Sequence, residues 1–151
     1  MPRITHENTV NAPLDVVFDY IANPSNWPEF WTALVWIKDI KALPNGGYSA
    51  KYQYKMAGRI FHGTGDYTEF VPNKRIVINI GGGINSILTW EFRSMEDNTS
   101  VTLMVDYKTP NRILRFLADP IITLMNEQEA SSLMRNLVYR FMFWNRPHLN
   151  R

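Results

Sequence analysis

The chain has 151 residues, 45% of them hydrophobic and 20% charged, a composition typical of a folded globular protein and not of a disordered one. Its 16 basic and 14 acidic residues nearly balance, which argues against nucleic acid as a partner. There is no cysteine, so disulfides, thiolate catalysis and cysteine-based zinc sites are excluded.

The length favours one domain, and we expect a single domain over residues 1–151. The N-terminal segment MPRITHENTV has no apolar run typical of a signal peptide, and no stretch is long and apolar enough to cross a bilayer. The sequence therefore predicts a soluble cytoplasmic protein.

The N-terminal part of the chain predicts one strand followed by short helices. Ile4 and Val10 fall in the period-two register of a strand. In LDVVFDYIA the apolar residues are spaced for one face of a helix, which ends at Asn23 and Pro24. The segment NPSNWPEFW (23–31) then holds two prolines, two tryptophans and a phenylalanine, which predicts only one or two helical turns.

A period of two then predicts six strands joined by short turns. Their expected ranges are 34–43, 48–56, 59–71, 74–81, 86–94 and 99–108. The links between them are rich in Gly, Pro, Asn and Asp and are too short to cross over a sheet, so neighbouring strands must be antiparallel. Together with the first strand, this predicts an antiparallel sheet of about seven strands.

The C-terminal part predicts one long helix over about 111–143. Pro120 would kink or restart this helix. Its apolar stripe comprises Leu114, Leu117, Ile121, Leu124, Met125, Gln128, Leu133, Leu137 and Phe141. So long a helix must lie along most of the sheet. The predicted fold class is therefore α+β, with a curved antiparallel sheet wrapped around a long C-terminal helix.

The turns predict which side chains share the inner face of the sheet. With a two-residue turn at 57–58, Tyr54 pairs with Phe61 and Tyr52 pairs with Gly63. The inner face is then rich in tyrosine, while Gly63 would let the sheet bend and would leave volume unfilled. We expect a cavity between sheet and helix; the alternative is a solid core filled by larger residues.

Candidate catalytic residues are few in this sequence. His62 and Asp66 fall on the solvated face, and His6 has inward parity, where a satisfied core histidine is the ordinary interpretation. Glu69 shares the inward parity of Tyr67 but lies near a strand end. No Ser-His-Asp arrangement, carboxylate pair or metal-ligand spacing stands out, so the catalytic residues are unknown and we expect neither a metal nor a cofactor.

The order of elements resembles the START-like superfamily (SRPBCC), also called the helix-grip or Bet v 1-like fold. Three stretches are similar to its polyketide cyclase/dehydrase and coenzyme Q-binding-protein branch, namely VNAPLDVVFDYIANPSNWPEF, GTGDYTEFVPNKRIVINI and NTSVTLMVDYKTPNRILRFLADPIITLM. In that family a short second helix closes one end of the pocket. The resemblance thus implies a lid made of Trp27, Phe30 and Trp31, against the equal alternative that they only fill the core.

The leading hypothesis is the binding of a hydrophobic or amphipathic small molecule, such as a lipid, an isoprenoid quinone or a polyketide, between sheet and helix. The expected ligand-binding residues are Trp31, Tyr52, Tyr54, Phe61, Tyr67, Ile78, Trp90, Phe92, Leu117, Ile121, Met125 and Gln128. Tyrosine hydroxyls and Gln128 would orient the ligand through hydrogen bonds.

Two alternative functions stay open. One is a polyketide cyclase or dehydratase in which tyrosines and His6 help with acid–base chemistry, although no cyclase motif matches position by position. The other is a protein-interaction module that uses the C-terminal segment RNLVYRFMFWNRPHLNR. Its arginines and aromatics are compatible with packing, a dimer contact or a peripheral contact with a membrane surface. The oligomeric state is therefore left as monomer or homodimer.

Overall fold

Residues 3–56, 58–82, 85–108 and 119–144 are described by the computed structural model. The strands are β1 (Arg3–Val10), β2 (Leu34–Ala42), β3 (Tyr48–Met56), β4 (Arg59–Val71), β5 (Arg75–Gly81), β6 (Asn85–Met95) and β7 (Asn98–Lys108). The helices are α1 (Leu14–Ala22), a 3₁₀ helix (Pro24–Glu29) and α2 (Asp119–Met142).

The seven strands form one antiparallel sheet in the order β1-β7-β6-β5-β4-β3-β2. This order confirms the predicted meander, with β1 added beside β7. The turn between β3 and β4 sets Tyr54 opposite Phe61, as its two-residue length predicts. Gly58 has a φ of 71°, the left-handed conformation that such a tight turn requires.

The helix α1 and the 3₁₀ helix cover one end of the sheet. Phe18 of α1 is buried, and its ring packs edge-on against Phe92 at a centroid distance of 5.0 Å. The side-chain oxygen of Asn23 accepts a hydrogen bond from the Ser25 backbone N–H at 3.1 Å, which caps the 3₁₀ helix. Pro28 lies inside this helix and, lacking an N–H, keeps it short.

The helix α2 packs across the sheet and against β1. Among the described side chains of this helix, the buried ones recur at helical spacing and are Ala130, Leu133, Met134, Leu137 and Phe141. The helix ends at Met142, close to the predicted end at 143, whereas the predicted part at 111–118 lies outside the described residues. In the described part of the chain, no helix combines the length and the hydropathy needed to cross a membrane.

A bulge in β4 overturns one predicted position. The register shifts between Tyr67 and Glu69, so Glu69 pairs with Val77 and falls on the outer face of the sheet. There its carboxylate forms a salt bridge with Arg75 at 3.2 Å. The predicted inward parity of Glu69 is therefore wrong, because one extra residue reverses the facing of the residues beyond it.

Candidate functional site

The aromatic segment after α1, residues 23–31, places some of its rings in the core and one at a cavity. Trp27 is buried, and its indole N–H donates to the Ile21 carbonyl oxygen at 2.9 Å. Phe30 is 1% exposed and packs edge-on against Trp90. Trp31 is half-buried and lines a cavity beneath α2. Trp27 and Phe30 therefore fill the core. Of the three residues expected to form a lid, only Trp31 lines the cavity.

A cavity of about 70 Å³ lies between the inner face of the sheet, the end of the aromatic segment and α2. The described residues of its wall are Trp31, Tyr54, Ile80, Ser86, Leu88, Leu103, Val105, Glu129, Ala130 and Leu133. Small-molecule sites usually measure roughly 300–1,000 Å³. A ligand of ordinary size therefore requires the walls of this cavity to move apart.

Glu129 is the one carboxylic acid among the described wall residues. Its Oε1 accepts a hydrogen bond from the indole N–H of Trp31 at 2.6 Å. Burial raises the pKa of the Glu129 carboxyl, and the hydrogen bond from Trp31 opposes this effect only in part. The carboxyl thus holds a proton more readily than an exposed glutamate does, and in that form it can donate as well as accept a hydrogen bond.

A row of stacked aromatic rings reaches the cavity at one side. The ring of Tyr54 stacks on Trp31 at 6.3 Å, on Tyr52 at 5.7 Å and on Phe61 at 5.2 Å between centroids. Such offset stacking stabilises the rings against one another. These four predicted residues are thus brought together, and Trp31 and Tyr54 line the cavity directly.

The hydroxyls of Tyr52 and Tyr67 are already engaged by the protein. They donate to the backbone carbonyl oxygens of Gly81 at 3.1 Å and Ala22 at 2.7 Å. Burial raises the pKa of both tyrosines, so they remain protonated donors. Their hydroxyl hydrogens are consequently committed to the fold and not to a ligand.

Gly63 makes room for one of these tyrosines. A Cβ atom placed on Gly63 would lie only 2.6 Å from the Tyr52 hydroxyl oxygen. The volume that was expected to stay empty beside this glycine is therefore occupied by the Tyr52 ring.

The remaining predicted site residues fall into two groups. Those buried in the core, away from the described cavity wall, are Ile78, Trp90 and Phe92. Those that cannot be placed are Ile121 and Met125, whose side chains are not among the described ones, and Leu117, which lies outside the described residues.

One predicted position on α2 requires correction. The sequence pattern predicts an inward Gln128, but this residue is exposed, and Glu129 faces the cavity instead. Counting back from Leu137 and Leu133 in steps of three or four residues leads to 129 and 130, not to 128. The apolar spacing after residue 128 thus indicates the correct inward face of the helix. The apolar residues before 126 indicate a different face, the one that includes Gln128.

Besides Ala130 and Leu133 of α2, the other described wall residues that were not predicted as ligand-binding come from β5, β6 and β7. Leu88 of β6 pairs with Val105 of β7, and Leu103 lies two residues away on the same face. Their inward parity was readable from the sequence. Which of the inward residues border the cavity depends on where α2 crosses the sheet, and parity alone does not give that position.

Comparison with known proteins agrees with this architecture. A family model described as polyketide cyclase / dehydrase and lipid transport matches residues 1–141. No curated protein matches the sequence.

Solved structures share the fold over nearly the whole chain. A protein from Thermus thermophilus superposes with a TM-score of 0.81 and 16% identity, covering 93% of this chain and 97% of its own. The Zhui aromatase/cyclase from Streptomyces sp. R1128 gives 0.80 and 15%, covering 97% of each chain. A START superfamily protein from Mycobacterium smegmatis gives 0.78 and 11%, covering 95% of this chain and 99% of its own. At these identities the likeness shows the fold alone, and it confirms the predicted helix-grip architecture.

Proposed function

Because the chain belongs to the polyketide cyclase / dehydrase and lipid transport family of START-like proteins, we propose that it binds a hydrophobic or amphipathic small molecule between the sheet and α2. The observation that supports this proposal is the cavity itself, whose described wall residues are largely apolar and include one carboxylic acid, Glu129. Lipids, isoprenoid quinones and polyketides all fit this description.

Apolar contact supplies the affinity in this proposal. Burying apolar surface contributes about 25 cal/mol per Å². Part of that gain offsets the cost of opening a cavity of about 70 Å³ to the size of a ligand. Leu88, Leu103 and Leu133 provide apolar surface from two strands and α2, so a flat or chain-like molecule would be held from both sides.

Entry of the ligand proceeds past Trp31. This residue is half-buried, and its indole is tied to Glu129 on α2 by one hydrogen bond. Phe30, one residue earlier, is held more firmly because its side chain is buried and its carbonyl oxygen accepts from Asn136 at 3.1 Å. Trp31 can therefore swing outward while the preceding residues stay in place.

A second candidate function is catalysis, as a cyclase or dehydratase. The observation that favours it is the Glu129 carboxyl at the cavity wall, whose pKa is raised by burial. A carboxyl whose pKa is raised above its ordinary value is better suited to general acid–base work than an exposed glutamate is. In that case Glu129→Gln would keep ligand binding and would lose turnover of a polyketide-type substrate.

The test is native mass spectrometry of the purified protein, followed by organic extraction and identification of any released compound. We expect a stoichiometric apolar compound. Ala130→Leu fills the cavity wall and should lower its occupancy at least tenfold, since a well-packed site has no room for added methylenes. Gln128→Leu adds the same side chain on the exposed face of α2 and should bind as the wild type does.

A clean ligand-free mass, together with no thermal shift across a panel of fatty acids, quinones and aromatic polyketides, contradicts ligand binding. Equal occupancy in Ala130→Leu and Gln128→Leu places the ligand elsewhere.

A further inference from the structure

The positive charge of the chain is concentrated in β2, β3 and the start of β4. Residues 34–61 contain five basic residues and one acidic residue, Asp39. Their formal net charge of +4 exceeds the +2 of the whole chain, so the other residues are on balance acidic. Such a separation of charge gives one part of the surface a positive potential, which attracts anionic partners.

The register of the sheet gathers three of the lysines on its outer face. Lys38 of β2 lies directly opposite Lys51 of β3, and Lys55 shares the face of Lys51 because alternate residues of a strand point the same way. All three side chains are exposed. Like charges directly opposite each other destabilise a sheet, and Asp39 contacts only Lys51, at 3.5 Å. An anionic partner would relieve the repulsion that remains.

A tryptophan lies among these lysines. Trp36 is opposite Gln53, which lies between Lys51 and Lys55 on β3, and its indole N–H donates to the Gln53 side-chain oxygen at 3.0 Å. The Lys38 ammonium lies 4.5 Å from the centre of the Trp36 ring, within the range of cation–π attraction. The half-buried ring is thus held on the outer face. Tryptophan is enriched at membrane interfaces, because its ring is apolar and its N–H is polar.

Aliphatic side chains are exposed beside the lysines. Ile60 lies opposite Lys55 and is 53% exposed, and Val35 lies at a bulge before Trp36 and is 51% exposed. They are the two most exposed aliphatic side chains among the described residues. A purely ionic partner such as nucleic acid would leave these groups in water. The surface of an anionic bilayer accommodates both the lysines and the aliphatic groups.

This part of the outer face borders the proposed entrance to the cavity. The backbone N–H of Lys55 donates to the Ala33 carbonyl oxygen at 2.8 Å, and Ala33 is two residues after Trp31. Tyr54, the residue before Lys55, stacks on the Trp31 ring. A membrane that contacts Lys55 would therefore lie close to the side chain that swings outward.

We propose that one part of the outer face docks reversibly on the surface of an anionic membrane. This part, which we call the basic face, consists of Trp36, Lys38, Lys51, Lys55 and Ile60. Its lysines contact the lipid headgroups, while its apolar groups enter the boundary between headgroups and acyl chains. Docking needs no ligand in the cavity, so the inference goes beyond the proposed function. It also brings Trp31 close to the phase in which apolar molecules dissolve.

The first experiment measures sedimentation of the full chain with vesicles. The vesicles consist either of phosphatidylcholine alone or of two parts phosphatidylcholine and one part phosphatidylserine. We expect much stronger binding to the second kind, and a partition coefficient that falls as salt screens the charges. A lysine near an anionic surface strengthens binding roughly fivefold, so Lys38→Gln combined with Lys55→Gln should lower the partition coefficient about 25-fold.

The matched control combines Lys74→Gln with Arg93→Gln. Both residues are exposed and lie outside the basic face, in the turn before β5 and on β6. The two double variants have the same net charge, but the control should bind the vesicles nearly as well as the wild type. Equal losses in the two variants would show that net charge governs binding, and would overturn the proposal.

The second experiment tests the apolar part of the basic face. Ile60→Gln removes an exposed aliphatic side chain without a change of charge, and should weaken vesicle binding several-fold because less apolar surface leaves water. Ile87→Gln is the matched control, since Ile87 is also exposed and lies on β6, away from the basic face. It should bind as the wild type does. Both side chains are exposed, so neither change should impair folding.

The outcomes separate docking from the proposed function. No binding to the phosphatidylserine vesicles overturns docking, whereas an apolar compound found by native mass spectrometry would still support ligand binding. Equal vesicle binding by Ile60→Gln and Ile87→Gln would mean that charge alone holds the vesicles, as it would hold any acidic macromolecule, and would also overturn docking. Vesicle binding that follows the basic face, by a chain that binds no apolar compound, confirms docking and overturns the proposed function alone.

Discussion

Glu129 and Trp31 form the polar contact that closes the cavity at α2. The indole N–H and the carboxyl oxygen are 2.6 Å apart, and both side chains are half-buried. Burial raises the pKa of Glu129 above its ordinary value of 4.5. The folded state therefore binds a proton at this position more tightly than the unfolded chain does.

A pH dependence of stability follows from Glu129. Because the pKa is higher in the folded state, the stability that protonation contributes is present below pH 4.5 and is lost as the pH rises through the folded-state value. Glu129→Gln has no charge to bury, and its amide oxygen still accepts from Trp31. We expect it to raise the melting temperature at pH 7 and to lose that advantage toward pH 4, in thermal unfolding from pH 4 to 8.

The control for this experiment is Glu127→Gln, which removes a carboxylate from an exposed position two residues away. Its melting temperature relative to wild type should vary little over the same pH range. An advantage of Glu129→Gln that does not change with pH would show that the effect comes from packing and not from ionisation.

At the scale of the elements, three hydrogen bonds between described residues connect the aromatic segment to α2. Glu29 accepts from Arg140 at 2.9 Å, the Phe30 carbonyl accepts from Asn136 at 3.1 Å, and Trp31 donates to Glu129. The contacts follow one another in antiparallel order along the two segments. The contact of Trp31 is the one that lies at the cavity, so we expect its loss to open the cavity without detaching the segment.

Removal of the Trp31 side chain should therefore speed ligand entry. In Trp31→Ala we expect the association rate of 1-anilinonaphthalene-8-sulfonate, followed by stopped-flow fluorescence, to rise several-fold, because the entry step no longer requires a ring to swing out. Trp36→Ala removes a half-buried tryptophan from the outer face, where it bonds to Gln53, and should leave the rate unchanged. Equal rates in the two variants would mean that the ligand enters by another route.

The elements also show how far the sequence predicts this fold. The strands were predictable because period-two patterns and short turns set both the pairing and the register, as between Tyr54 and Phe61. The bulge that turns Glu69 outward has no compositional signal, since any residue can occupy it. The choice of Glu129 over Gln128 depended on helix phase, which the packing of Leu133 and Leu137 against the sheet decides.

At the scale of the whole molecule, the cavity lies where three separately predicted parts meet. The sheet supplies Leu103, the aromatic segment supplies Trp31, and α2 supplies Glu129. No short motif joins these residues, because they are far apart in the sequence and are brought together by the fold. The sequence thus predicted the architecture well and the cavity wall only in part. One domain over 1–151, a cytoplasmic location and the oligomeric state stay predictions.

The aromatic residues at the end of α2 differ in whether they pack in the core or lie on the surface. Phe141 is 5% exposed and packs edge-on against Tyr20, whereas Phe143 is 90% exposed. Tyr139 and Met142 are exposed as well. Within the described residues, the two phenylalanines thus have opposite environments, although the sequence presents them as one aromatic cluster.

We expect Phe141→Ala to lower the free energy of unfolding by about 3–5 kcal/mol, because it leaves a void in the core. Phe143→Ala should change it by less than about 0.5 kcal/mol, as is usual at exposed positions. Urea unfolding of both variants measures this difference, and sedimentation of the Phe143→Ala variant shows whether the exposed ring holds a dimer together. Dilution separates a dimer, so an exposed ring that stabilises the protein only through a dimer contact has no effect in dilute solution. A large loss of stability in Phe143→Ala under dilute conditions would therefore mean that the ring packs inside the fold.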